Sequence, residues 1–320
     1  MAAAIPLFNP AGFDVELRPA LDDVRAGRWI AMRELLHNTS TWASWTSRSQ
    51  ILAAAAATGD AVEAWAQEEP RSYPARMMRA RVEVQRALNA HRAGDREAES
   101  RTDRARLACE HAASEHPDDP VPWLGLLTLA QVDSSDEYHR RPEHRIAAWE
   151  PPLPAGPWGL LSAVLKRDRG SREAWHRLLQ ALQAYGRNTS DFARWVSSWA
   201  EPGSPLAVIP LYVYADIYRE RRESGQLTSL FWTTAPVSYY TRHALERWFP
   251  HADRSSWSPL DLNYLAQALY SGGFGAAACA EVFQAIGSCA TPVPWRYVAD
   301  APDRWQEEFL QARRRCLNDE

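Results

Sequence analysis

The sequence predicts an all-α fold built of antiparallel helix pairs. Three observations point there. Alternating Val and Ile runs of the kind that form strands are nearly absent, while Ala, Leu, Arg, Glu and Gln dominate. Apolar residues recur three and four positions apart along most of the chain. Glycines and prolines interrupt that periodicity at about the length of a helix.

The elements come in order. Helices are expected over 14–25 and 28–37, around Gly27. A third runs from 42 to 58, carries the apolar run 51–57 and stops at Gly59. Asp60 is placed to cap a short fourth that ends before Pro70. The stretch 74–92 is a long helix with a proline in its first turn and Gly94 just past its end. Its antiparallel partner is 101–115. Asp118, Asp119 and Pro120 open the next, over 118–131. Residues 133–157 then read as an irregular, polar, proline-rich insertion, apart from a short helix near 144–149. Such a long connection suggests a mobile segment. Helices resume over 158–167, 171–185, 190–200 and 205–223. After an unclear stretch at 226–236 come 237–249, 258–270, 274–286 and 303–317, with Pro292 and Pro294 separating the last two.

Composition bounds the function classes. A hydrophobic fraction of 46% and 320 residues suffice for a substantial buried core. A net charge of only -4 argues against broad nucleic-acid or anionic-membrane binding, both of which favour a basic surface. Lys166 is the sole lysine, and with the abundant alanine this bias fits GC-rich coding. Fifteen tryptophans supply large packing area, each with one N–H to place. Cys109, Cys279, Cys289 and Cys316 form no C-x-x-C pair and read as reduced and packed. The opening stretch MAAAIPLFNPAGFD has neither a basic nor a sustained apolar region, and no run is long enough to span a bilayer. The expected location is therefore cytoplasmic.

Within the helical pattern, one unit stands out. Leu262, Leu265, Ala266 and Leu269 mark one face of a helix, Gly273 sits where it should stop, and Ala278, Val282 and Ala285 recur on the next. Trp175, Leu178, Leu179 and Leu182, then Gly186 and Trp195, sketch a second unit. It departs from the pattern at Asp191, where alanine is wanted. Trp123, Leu126, Leu127 and Ala130 begin a third, whose turn is replaced by the insertion. Ala20, Gly27, Met32 and Leu36 outline a fourth. These segments resemble the tetratricopeptide repeat, a helix–turn–helix that buries its apolar face only by stacking on its neighbours. The resemblance is clear over about a third of the chain, and the whole chain also resembles a group of actinobacterial repeat-containing proteins. It implies one domain over 1–320, an α-solenoid whose first helices line a concave, peptide-binding face. A helical bundle with coincidental spacing is the competing reading.

No phosphate-loop, dinucleotide, zinc-protease or nucleophile-elbow motif occurs, so no cofactor or metal is expected. Gly272-Gly273-Phe274-Gly275 reads as a repeat turn. Glu137, His139, Glu143 and His144 could ligate a metal, but Arg140, Arg141 and Arg145 oppose one. His111 and His116 are five residues apart and so diverge around their helix, which suits surface residues.

The polar stripes beside the apolar ones are better candidates. His176, Gln180 and Gln183 form one. Tyr212, Asp216 and Arg219 share a face of 205–223, and Tyr214, Tyr218 and Arg221 another. Arg79, Glu83 and Arg86 align earlier. His176, Gln180, Tyr212, Asp216 and Arg219 are the expected partner-binding residues, since arginine and tyrosine combine contact area with hydrogen bonds. The expected function is protein or peptide binding in the bacterial cytoplasm. The alternative is an enzyme, or a subunit of a catalytic complex, that modifies a peptide in a ribosomal natural-product pathway.

Overall fold

A computed structural model describes residues 8–133, 141–142 and 146–317. Among them are sixteen α-helices and no strand. They fall into two compact units. The first is Asp14–Thr189; the second joins residues 8–13 to residues 190–317.

The first unit holds nine helices: α1 (Leu17–Arg25), α2 (Ile30–His37), α3 (Trp42–Ala56), α4 (Ala61–Glu68), α5 (Tyr73–Ala93), α6 (Ala98–Glu115), α7 (Pro120–Leu129), α8 (Trp158–Leu165) and α9 (Arg172–Ala184). Their ends obey local chemistry. The Thr41 Oγ1 accepts the Ser44 N–H at 3.2 Å to cap α3, and the Asp119 carboxylate accepts the Val121 N–H at 2.7 Å to cap α7. Gly94 closes α5 with φ +64°, a left-handed conformation that any Cβ would strain.

Packing alternates. The odd-numbered helices touch in series, α1 on α3, α3 on α5, α5 on α7 and α7 on α9. Even-numbered helices pack beside them: α2 on α1 and α3, α4 on α5, α6 on α5 and α7, α8 on α7 and α9. Nine of the ten residues of α7 are buried, only Trp123 being half-exposed, so this helix is apolar all round. The guanidinium of Arg167 lies 4.4 Å from the Trp123 ring centre.

The second unit holds α10 (Ser190–Ser198), α11 (Ile209–Glu223), α12 (Ala235–His243), α13 (Pro259–Gly272), α14 (Ala276–Ile286), α15 (Pro292–Val298) and α16 (Trp305–Leu317). Here too α11 packs on α13 and α13 on α15. α12 packs on α11 and α13, α14 on α13, and α16 on α14 and α15. The core centres on Phe283, Trp295 and Phe309, whose ring centres lie 5.4–5.9 Å apart. The Trp295 indole N–H donates to Asn263 Oδ1 at 2.8 Å. Buried Trp65 and Trp158 likewise place their N–H groups, on Glu69 and on the Pro154 carbonyl.

Several expectations change. The helix expected over 205–223 is a 3-10 turn, Pro205–Val208, and then α11, because Pro210 lacks an N–H and fits only a first turn. The helix expected over 237–249 ends at His243 and passes into a π-turn. Leu262, Leu265, Ala266 and Leu269 are buried as read, and Gly273 adopts φ +67° with open space around a Cβ. The buried face of α14, however, is Cys279, Val282, Phe283 and Ile286, while Ala278 and Ala285 are half-exposed. Phe283 and Ile286 carry more apolar surface than alanine and so decide the rotation. The second candidate repeat is divided: its first helix, α9, belongs to one unit and its second, α10, to the other.

Of the insertion, residues 134–140 and 143–145 lie outside the described residues, and with them Glu137, His139, Glu143 and His144. Ile146, Trp149 and Glu150 are bends rather than a helix. The segment 146–157 packs onto α8 and α9. Leu153 is buried, Trp149 lies 5.8 Å from Trp158 and 5.9 Å from Trp175, and a Cβ on Gly156 would come within 2.8 Å of Leu182. Two apolar anchors inside a polar composition tie this half down.

Candidate functional site

In the second unit, Tyr212, Asp216 and Arg219 succeed one another along α11 at i, i+4 and i+7, the face their spacing predicts. The structure adds residues from the next two odd-numbered helices. Asp261 and Tyr264 come from α13, and Tyr297 from α15. The Tyr212 O–H donates to Asp261 Oδ1 at 2.5 Å, and its ring stacks on Tyr264 with centres 3.8 Å apart. Tyr264 and Tyr297 turn their hydroxyls toward each other beside Asp216. Burial first, then the neighbouring Tyr297 and Asp216, push the Tyr264 phenol far above its ordinary value, so it stays protonated.

Arg219 lies 3.7 Å from Asp216 and 3.7 Å from Glu223, with its guanidinium 5.6 Å from the centre of the Tyr297 ring. Its Nε makes no hydrogen bond. Arg222 braces the same edge by donating to the Tyr297 carbonyl at 2.8 Å. Asp216 and Arg219 are half-buried, whereas Tyr212 is buried. Tyr212 therefore belongs beneath this face, as a support for Asp261 and Tyr264, and is not an open anchor.

The companion stripe is structural. Tyr218 packs on Phe231 and Trp232, Tyr214 on Tyr240, and Arg221 lies over Phe231. In the earlier stripe Arg79 is exposed, while Glu83 and Arg86 are structural. Arg86 binds Glu83, Glu63 and the carbonyls of Ala57 and Gly59, joining α5 to the α3–α4 turn.

In the first unit, His176 and Gln180 lie on α9, half-buried and exposed respectively. Gln180 is the outer end of a polar chain that runs inward across three odd-numbered helices. Its Oε1 accepts from Arg177 at 3.0 Å. Arg177 donates twice to Glu173 Oε1, at 3.0 Å each. The other carboxylate oxygen of Glu173 takes Arg81 of α5, which also reaches the Thr46 carbonyl of α3 at 3.4 Å. Burial alone would raise the Glu173 pKa. The two guanidiniums outweigh it and hold the carboxyl below its ordinary range. Arg81 Nε and Thr46 Oγ1 are buried without a hydrogen bond.

A cleft of about 370 Å³ opens where α3, α5 and α7 begin, with Trp42, Trp45, Tyr73, His116 and Asp119 on its walls. Asp119 Oδ2 accepts from the Trp45 indole at 3.1 Å and from the Tyr73 hydroxyl at 2.7 Å. One carboxylate thus ties three helices. Burial raises its pKa, an effect only partly offset by those donors and the Val121 N–H. Tyr73 also lies against His116, with ring centres 3.6 Å apart.

Among the described residues no group of three or more His, Cys, Asp or Glu side chains is placed to hold a metal ion, and no helix is long and apolar enough to cross a membrane. Sequence reasoning missed Asp261, Tyr264 and Tyr297. The first two flank the Leu262 stripe three positions apart, a signal of the kind that singled out α11. Tyr297 comes after two prolines that read as a break. No protein-family model, curated protein or solved structure matches the chain.

Proposed function

We propose that the chain is a protein- or peptide-binding scaffold of the tetratricopeptide-like, α-solenoid kind, working in the cytoplasm. The observation that carries this reading is the alternation: in each unit the odd-numbered helices pack in series and the even-numbered ones pack beside them. Stacking of that kind leaves one layer of helices to present side chains to a partner. The polar clusters built on that layer, around Asp216 and Arg219 and around Gln180 and Arg177, are the recognition surfaces. Arg219 suits a partner carboxylate, and Tyr297 an apolar or cationic side chain.

The test is affinity capture from the native host with mass-spectrometric identification, then calorimetry with the identified segment. Asp216→Ala and Arg219→Ala are expected to weaken binding more than about tenfold, roughly 1.4 kcal/mol, with the melting temperature retained. Affinity unchanged in both variants would place recognition elsewhere.

A further inference from the structure

We propose that Cys279 and Cys316 are a disulfide-forming pair, a covalent staple between α14 and α16. The two residues are 37 positions apart, yet their sulfur atoms lie 2.6 Å from each other. A disulfide bond is about 2.05 Å long, so closing it takes a movement of about half an ångström. Both side chains are buried, at 2% and 5% exposure, which excludes a chance encounter of mobile surface thiols.

The surrounding packing fixes this register. Phe309, Ala312 and Cys316 are the buried residues of α16, and they face the Cys279–Phe283 side of α14. Arg313 donates to the Gly287 carbonyl at 2.7 Å and Arg315 to the Tyr270 hydroxyl at 2.8 Å, pinning the same helix at two further points. Of the other cysteines, Cys109 is buried against Gly125 in the first unit, and Cys289 is half-exposed just beyond the end of α14.

The chemistry balances with a small-molecule disulfide as oxidant. Cys316 lies in the final turn of α16, and helix ends open at low cost. Opening there exposes the Cys316 thiol to the oxidant first. Its thiolate attacks one sulfur of the oxidant, forming a mixed disulfide and expelling one thiolate. Cys279, deprotonated as the helix recloses, then attacks the Cys316 sulfur and expels the second. Two protein thiols are oxidised, the oxidant is reduced to two thiols, and the two protons pass to those leaving groups. The closed loop contains α15, and so Tyr297 of the candidate face. Oxidation therefore restrains that edge as well as the end of α16.

The test uses the full chain, reduced and then equilibrated with oxidised glutathione. Non-reducing digestion and mass spectrometry should find one peptide linking Cys279 to Cys316. The melting temperature should rise by about 5 °C or more, and fall back with dithiothreitol. Cys279→Ser should stop at a glutathione adduct on Cys316. Cys289→Ser should form the link as the wild type does, which guards against folding defects in the paired variants. The proposal is overturned if both thiols stay free or end as separate glutathione adducts, if the link runs to Cys109 or Cys289, or if the correct link leaves melting unchanged.

Discussion

Asp119→Ala should destabilise the first unit by about 3 kcal/mol. The loss has two parts. Asp119 caps α7 through the Val121 N–H, and losing such a cap costs about 1 kcal/mol. It also accepts from Trp45 and Tyr73, and a hydrogen bond to a charged group contributes about 1.5–3 kcal/mol. The low end applies because half-buried Tyr73 can turn to water. Burial of the carboxylate opposes these gains, as its raised pKa indicates, so part of the loss is returned. For a unit of this size, about 3 kcal/mol lowers the melting temperature by about 6–12 °C. Asp119→Ser separates the parts, since serine caps as well as aspartate but does not reach both donors. It should cost about 2 kcal/mol, the share of the tie alone. Differential scanning calorimetry of the full chain reads both variants. If Asp119→Ala melts within about 1 °C of the wild type, the carboxylate is not what ties α3, α5 and α7. If serine is as damaging as alanine, the cap contributes nothing.

Single positions give further expected outcomes. Gly273→Val should lower the melting temperature by a few degrees, since φ +67° strains a β-branched residue by about 1–3 kcal/mol although the space is open. Gly273→Asn should cost less, because asparagine tolerates that conformation, and equal melting of both variants would contradict the strain argument. His243, bonded through Nδ1 to Ser197 at 3.2 Å, has its pKa lowered by burial first and then by Arg247. The unfolded chain therefore binds this proton at higher pH than the folded one. The stability His243 contributes is present above its ordinary value of about 6.5 and is lost as pH falls through the folded value. Melting measured from pH 7.5 downward should show that decline, and His243→Gln should reduce it; an identical pH profile in the variant would refute the assignment.

How much of this was legible in the sequence depends on range. Helices and turns are local, and Gly94, Gly273 and Pro74 marked them within a residue or two, while Asp60 holds the N-cap position of α4 without a side-chain capping bond. Side-chain registers along one helix were legible as well: Tyr212, Asp216 and Arg219 do share a face. What one helix receives from the next was not. The Trp45–Asp119 and Tyr73–Asp119 bonds span 74 and 46 residues, and no periodicity reports them. Arg81 and Glu173 look like solvated helix charges in sequence yet are buried against each other, 92 residues apart. Trp149 and Leu153 hid within a polar, proline-rich stretch, because two anchors barely change its composition. The Cys279–Cys316 approach was invisible for the same reason as the Asp119 tie.

The central claim is that the odd-numbered helices present the binding surface. Hydrogen exchange of the full chain with and without its captured partner tests it without relying on any variant to fold. The account predicts added protection on α11, α13 and α15 around Asp216, Tyr264 and Tyr297, or on α9 around Gln180, with the even-numbered helices unchanged. Protection confined to α12, α14 and α16, or to the even-numbered helices of the first unit, would contradict it.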